Sequence, residues 1–106
     1  MKQYIVKVTE QALADMEEIY AYIADKLQAP DTAIRQYNRI AAEVESLRIF
    51  PERYKLFDSD PEREMGLRQL VAGNYSAIYV VADDVVTVLR VLYSSSNIVA
   101  RLRGES

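Results

Sequence analysis

The first half of the chain carries one short β-type pattern followed by a helical one. Residues 4–8 are rich in β-forming side chains and alternate loosely, which predicts a first strand. Apolar residues then recur at steps of three and four, as on one face of an amphipathic helix, and acidic residues such as Asp15 occupy the rest. Thr9 suits the N-cap of this helix, and the charge of Glu10 favours a helix N-terminus. The apolar face comprises Leu13, Met16, Ile19, Tyr20, Ile23 and Leu27.

A second helical pattern follows after the short break at residues 28–30. Pro30 suits the first turn of the new helix, and Pro51 ends the pattern after Phe50. Two helices joined by so short a turn are expected to pack as an antiparallel hairpin. The second apolar face comprises Ile34, Tyr37, Ile40, Ala41, Val44 and Leu47.

From Gly66 onward the pattern is that of three consecutive strands. They are predicted at Leu67–Ala72, Tyr75–Ala82 and Val85–Tyr93, with turns at Gly73-Asn74 and Asp83-Asp84. The last strand is apolar at both alternating positions, which predicts that both of its sides are covered. Residues 94–97 end this strand, and residues 98–103 fit either a short helix or a frayed tail.

These elements predict one α+β domain over residues 1–106. The order is β-α-α-β-β-β, with the helical hairpin packed on one face of an antiparallel sheet. Because one helix pair covers one face, the other face is expected to be exposed or kept for a partner. Residues 52–65 form a long charged connection between helix and sheet. Loops of this length are often functional, and a solvated linker is the alternative.

Composition narrows the chemistry that the chain can perform. It has no Cys and no His, which excludes disulfides, thiolate nucleophiles, an imidazole base and an ordinary zinc site. We expect no cofactor and no metal, so any catalysis would use carboxylates, Lys, Arg, Tyr or Ser. The net charge of -3 argues against binding a long phosphate backbone, although it permits a local basic patch.

The chain shows no pattern for secretion or membrane insertion. Its N-terminus carries no signal-peptide pattern. Its longest strongly apolar stretch, Ala77 to Ala82, is far shorter than the ~20 residues that span a bilayer. We therefore expect a soluble, cytoplasmic protein with no membrane partner.

Several short sequence words occur together and cover nearly the whole chain. They lie at residues 8–24, 27–30, 50–54 (FPERY), 66–70 (GLRQL), 73–75 (GNY) and 89–93 (LRVLY). In this order they resemble the RelE/ParE superfamily of bacterial toxins from type II toxin–antitoxin systems, and its ParE-like, plasmid-stabilisation branch most of all. The resemblance implies a RelE/ParE-like fold and a toxin neutralised by a cognate antitoxin. The apolar helix faces and the uncovered sheet face would receive the antitoxin, with a homodimer as the alternative.

The RelE side of the superfamily implies a metal-independent mRNA endoribonuclease that acts on the ribosome. Such chemistry needs a base, an acid and cations around the phosphate. The resemblance assigns phosphate binding to Arg68 and an active-site position to Tyr93, with Glu62 or Glu64 as a base. The structural alternatives are an Arg68–Glu64 ion pair and a packed Tyr93. Arg90, in an otherwise apolar strand, would face the uncovered side or a buried acid.

The ParE side implies a different activity, in which the toxin is no enzyme but binds and poisons DNA gyrase. Ser94-Ser95-Ser96 stand where nuclease members carry a basic cluster, and three serines do not replace that charge. Together with the acidic composition, this disfavours RNA cleavage. We predict a growth-inhibiting toxin that binds a target such as DNA gyrase. The endoribonuclease is one alternative, and a non-toxic relic that binds only the antitoxin is another.

Overall fold

A computed structural model describes residues 2–104 and confirms the predicted succession of elements. The strands are β1 (Ile5–Val8), β2 (Arg68–Ala72), β3 (Tyr75–Ala82) and β4 (Val85–Tyr93), and the helices are α1 (Glu10–Ala21), α2 (Pro30–Glu45) and α3 (Ile98–Leu102). A π-helical turn, Tyr22–Lys26, continues α1, and two short 3₁₀ turns follow α2 at Ser46–Arg48 and Pro51–Arg53. The predicted turns at residues 73–74 and 83–84 join β2 to β3 and β3 to β4.

The four strands form one sheet in the order β1-β4-β3-β2. β2, β3 and β4 are antiparallel neighbours, whereas β1 pairs with β4 in parallel, so the sheet is mixed rather than wholly antiparallel. The reason lies in α2, which brings the chain back beside the start of β1, where the Tyr4 N–H donates to the Arg48 carbonyl at 2.8 Å. β2 therefore begins at the same end of the sheet as β1, and after two hairpins β4 runs in the direction of β1.

The sheet is packed on both faces. One face carries the main core, in which Met16, Ile40 and Leu70 bring α1, α2 and the sheet together. The other face was expected to be exposed or kept for a partner. Instead, α3 and the connection before β2 cover much of it with a cluster of Leu67, Ile78, Leu92 and Ile98. β4 is thus covered on both sides, as its sequence predicts.

The buried face of α1 differs from the predicted one. Asp15 is buried together with Ala12 and Met16, whereas Leu13 and Leu27 are exposed, Leu27 by 57%. The helix is turned about its axis so that a carboxylate, rather than an apolar side chain, faces β4. This orientation follows from an irregularity in β4 that needs polar partners.

The irregularity is a β-bulge between β3 and β4. Ile78 pairs with Arg90, but the next residue, Tyr79, pairs with Val88, which leaves Leu89 without a partner in this ladder. The Leu89 carbonyl accepts a hydrogen bond from the Thr9 hydroxyl at 3.1 Å. The same Thr9 oxygen caps α1, as predicted, by accepting from a backbone N–H of the first turn.

Asp15 completes the junction between α1 and the bulge. Its carboxylate accepts two hydrogen bonds from the Arg90 guanidinium, at 2.7 and 3.0 Å, and a third from the Val91 N–H at 2.9 Å. Of the two positions expected for Arg90, the structure shows the one facing a buried acid. The carboxylate holds the pKa of Arg90 above its usual range. We call this arrangement the Asp15–Arg90 clamp.

Removing the carboxylate of the clamp should destabilise the fold strongly. Asp15→Ala leaves a largely buried guanidinium without its counter-charge and the Val91 N–H without its acceptor, a change that costs about 3–5 kcal/mol. Urea denaturation followed by circular dichroism measures the loss. Glu17→Ala, at an exposed position of the same helix, is the matched control and should change stability little. Equal stability of the two variants would contradict a structural role for the clamp.

Candidate functional site

A cleft lies where α1, the β2–β3 turn, the end of β4 and α3 meet. Its volume is about 640 Å³. Aromatic and apolar side chains supply most of its walls, with a few polar groups among them. The lining residues that concern function are Glu18, Tyr22, Asn74, Tyr75, Tyr93 and Arg101. We call this feature the tyrosine cleft.

Three phenol rings dominate the tyrosine cleft. Tyr22 and Tyr93 are about half exposed, at 53% and 47%, and Tyr75 packs edge-to-face on Tyr93 with ring centroids 5.6 Å apart. Burial, and then the nearby Tyr93 and Tyr22, raise the pKa of Tyr75. None of the three hydroxyls has a hydrogen-bond partner within residues 2–104. The cleft therefore combines apolar ring surface with hydroxyl groups free to bind a partner.

Opposite charges stand on different walls of the cleft. Glu18 comes from α1 and Arg101 from α3, and Arg101 forms no ion pair with any residue that the structure describes. The charge of Asp15, which also lines the cleft, is balanced by Arg90 in the clamp. An acidic wall and a basic wall around an aromatic surface suit a peptide segment with charges of both signs.

Arg68 lies away from this cleft, and its guanidinium donates hydrogen bonds to backbone carbonyls. One guanidinium nitrogen donates to the carbonyls of Glu52 at 3.2 Å and Tyr54 at 2.5 Å. The other lies 3.7 Å from the Glu52 carboxylate, and the side chain is only 16% exposed. The predicted Glu64 pairing is not seen, since Glu52 takes that place. Arg68 therefore ties the segment after α2 to the start of β2.

The structure does not bring Arg68 and Tyr93 together. In the sheet, Arg68 pairs with Tyr79, whereas Tyr93 pairs with Tyr75, which precedes Tyr79 by four residues in β3. At the rise of an extended strand this separates them by about 13 Å along the sheet. Their joint catalytic role stays a prediction.

The two glutamates of the connecting loop differ sharply. Glu62 is buried, and its carboxylate accepts hydrogen bonds from Ser59 at 2.7 Å and from two nitrogens of Arg103 at 2.9 Å. The hydrogen bonds from Arg103, then that from Ser59, lower the pKa of Glu62 to about 2. A carboxylate so placed is a poor base. Glu64 is exposed.

The serine run builds the turn between β4 and α3. The Ser94 and Ser76 hydroxyls lie 2.7 Å apart, and the Ser96 hydroxyl donates to the Tyr93 carbonyl at 2.6 Å. Asn97 then caps α3 by accepting from the Ala100 N–H at 3.1 Å. The run thus positions Tyr93 and α3 on two sides of the tyrosine cleft and supplies no charge to it.

Metal-binding groups of side chains and membrane-spanning helices are two features that would bear on the kind of site. Nowhere in residues 2–104 do three or more acidic side chains stand close enough together to hold a metal ion. None of the helices in that range has the length and apolar character needed to cross a membrane.

Several solved structures share the fold of this chain at low sequence identity. The chromosomal ParDE system of P. aeruginosa superimposes with a TM-score of 0.71 at 24% identity, over 86% of this chain and 96% of that one. The RelBE2 complex of Mycobacterium tuberculosis gives 0.63 at 20% identity, over 91% and 97%. The archaeal RelE–RelB complex of Pyrococcus horikoshii gives 0.58 at 19% identity, over 88% and 97%. No curated protein matches significantly.

The mixed sheet with its helical hairpin is thus a RelE/ParE-like toxin fold, as the sequence predicts. The family model for the ParE toxin of the type II toxin–antitoxin system parDE matches residues 6–98, which is most of the chain. The chain belongs to this family of toxins.

Replacing Arg68 should lower stability, because its hydrogen bonds hold the backbone. Arg68→Ala leaves two carbonyls without a charged donor, and we expect a loss of about 1.5–3 kcal/mol in the free energy of unfolding. Urea denaturation measures it, with Arg35→Ala on the exposed side of α2 as the control. A variant as stable as the wild type would show that the guanidinium is not needed for the fold.

Glu62 should make the fold sensitive to acid. Its folded-state pKa of about 2 lies below the ordinary value of 4.5, so its stabilising effect is complete above pH 4.5 and is lost as the pH falls towards 2. Glu62→Gln should therefore be less stable than the wild type at neutral pH and lose less stability over this range. Thermal unfolding between pH 7 and pH 2 measures both. Glu64→Gln should follow the wild type, and a Glu62→Gln profile parallel to it would refute the assignment.

Proposed function

We propose that this protein is a growth-inhibiting toxin that acts by binding a protein target such as DNA gyrase. The observation that carries the proposal is the placement of the candidate nuclease residues. Arg68 donates hydrogen bonds to backbone carbonyls, and the buried Glu62 carboxylate is paired with Arg103. Tyr93 lies at the opposite end of the sheet from Arg68. The separation of these side chains supports a toxin that acts through its binding surface. Membership of the ParE toxin family agrees with this mode.

We also propose that a cognate antitoxin neutralises the protein by covering the tyrosine cleft. The solved neighbours from M. tuberculosis and P. horikoshii are toxin–antitoxin complexes. In this chain the cleft offers what a protein segment needs, namely exposed rings of Tyr22 and Tyr93 with Glu18 and Arg101 on either side. Aromatic side chains with arginine are the usual anchors of protein interfaces.

One observation favours the ribosome-dependent endoribonuclease as a second candidate. Tyr93 is about half exposed and its hydroxyl forms no hydrogen bond with the described residues, which leaves the side chain able to contact RNA. Arg101 lines the same cleft and has no carboxylate partner in residues 2–104. Stacking on a phenol ring beside a free guanidinium is a common mode of single-strand binding.

Induction of the chain alone in bacteria, with pulse labels for DNA and protein synthesis, separates these functions. We expect DNA synthesis to fall first, and Tyr93→Phe, which removes only the hydroxyl, to remain toxic. Co-expression of the cognate antitoxin should restore growth. A fall in protein synthesis first, abolished by Tyr93→Phe, would support the nuclease instead. Normal growth with abundant soluble protein would identify a non-toxic relic.

The target itself is tested with purified components. The wild-type protein should inhibit supercoiling by purified DNA gyrase, and prior addition of the antitoxin should prevent the inhibition. A toxin that stops DNA synthesis in cells but leaves purified gyrase active would exclude gyrase and keep the binding mode.

A further inference from the structure

Phe50 has a backbone conformation that its side chain disfavours. Its φ of 48° and ψ of 57° lie in the left-handed region, where the Cβ of an L-residue crowds the following carbonyl. Glycine and asparagine adopt this conformation readily, whereas bulky residues rarely do. The ring gains no burial in return, since Phe50 is 65% exposed. We call residues 49–53, with Phe50 at their apex, the Phe50 knuckle.

The knuckle is held rigidly from within. The Arg53 guanidinium donates to the carbonyls of Ile49 at 2.6 Å and Phe50 at 3.0 Å. The hydroxyl of Tyr79, a fully buried side chain, donates to the Pro51 carbonyl at 2.5 Å. Burial raises the pKa of Tyr79 to about 12, so this donor keeps its proton. Arg68 fixes the carbonyl of Glu52 in the same way.

Charges of both signs surround the exposed ring. Arg53 bonds backbone and hydroxyl oxygens, and no carboxylate in the described chain lies within ion-pair distance of it. The adjoining hollow of about 420 Å³ is lined by Phe50 together with Lys2 and the exposed Glu52, and Lys2 is paired with Asp84 at 2.9 Å. A projecting aromatic ring among such charges suits a partner with an apolar pocket and a polar rim.

The knuckle and the tyrosine cleft lie at opposite ends of the sheet. Tyr79 and Arg68 anchor the knuckle, whereas the cleft is built around Tyr75, four residues before Tyr79 in β3, and its β4 partner Tyr93. The two surfaces can therefore serve two different partners. A rigid projecting ring needs a preformed pocket, which a folded protein provides, and little conformational freedom is lost when it binds.

We propose that Phe50 is the anchor through which this toxin binds its target protein, entering an apolar pocket with a polar rim. The inference rests on the proposed function, because it presumes a protein target. It explains why the strained conformation carries a phenylalanine: the ring is presented for binding, at the expense of stability. Tyr79 and Arg68 act as positioning residues for the knuckle.

Phe50→Asn tests the proposal, because it relieves the strain and removes the ring in one step. We expect a higher Tm than that of the wild type and unchanged capture of the co-expressed antitoxin. We also expect at least a tenfold increase in the amount of soluble toxin needed to halve the growth rate. Met65→Asn replaces an apolar side chain of similar exposure, 62%, and should match the wild type in toxicity. Phe50→Leu keeps an apolar anchor and should retain part of the activity.

Each contrary outcome has a distinct meaning. A Phe50→Asn variant as toxic as the wild type overturns the proposal. Parallel loss of toxicity and of antitoxin capture overturns it by assigning the knuckle to the antitoxin interface. A halved molecular mass in gel filtration overturns it by assigning the knuckle to a contact between two copies. If the wild-type chain itself leaves growth unchanged, the proposed function fails and this inference fails with it.

Discussion

The fold depends on a buried ion pair at the one irregular point of the β3–β4 ladder. A bulge removes Leu89 from the regular pairing, and α1 supplies the missing partners through Thr9 and Asp15. Because Asp15 also accepts hydrogen bonds from both Nε and Nη2 of Arg90, the clamp fixes the rotation of α1 as well as its position on β4. That rotation buries the carboxylate face and leaves Leu13 exposed. It also turns Tyr22, beyond the end of α1, into the tyrosine cleft.

The sheet then separates two surfaces that differ in construction. At one end, the tyrosine cleft has charged walls and phenol hydroxyls that form no hydrogen bonds with the described residues. At the other end, Arg68 and Tyr79 donate hydrogen bonds to backbone carbonyls of residues 51–54. A cleft of the first kind accommodates a segment that adapts to it, whereas the rigid Phe50 knuckle suits a pocket formed in advance. This division agrees with a toxin that meets two protein partners.

Much of the fold was predictable because its signals are local. The turns at Gly73-Asn74 and Asp83-Asp84, the start of α2 at Pro30 and the N-cap at Thr9 each depend on a few neighbouring residues. The site residues were harder to predict, because what Arg68 and Glu62 contact depends on residues distant in the chain. Arg68 meets Glu52 rather than Glu64, and Glu62 meets Arg103, 41 residues away. The burial of Asp15 had one signal, the lone Arg90 in an apolar strand.

The sequence by itself determined the secondary-structure elements, their order and the family. Hydrophobic periodicity, turn residues and short motifs each depend only on residues that are close together in the chain. Only the tertiary structure decided the parallel pairing of β1 with β4 and the covering of the second sheet face by α3. It also decided that Arg68 and Tyr93 stand apart while Tyr22, Tyr93 and Arg101 converge. The reason is that pairing, register and side-chain convergence arise between segments far apart in the chain, where neither periodicity nor spacing carries information.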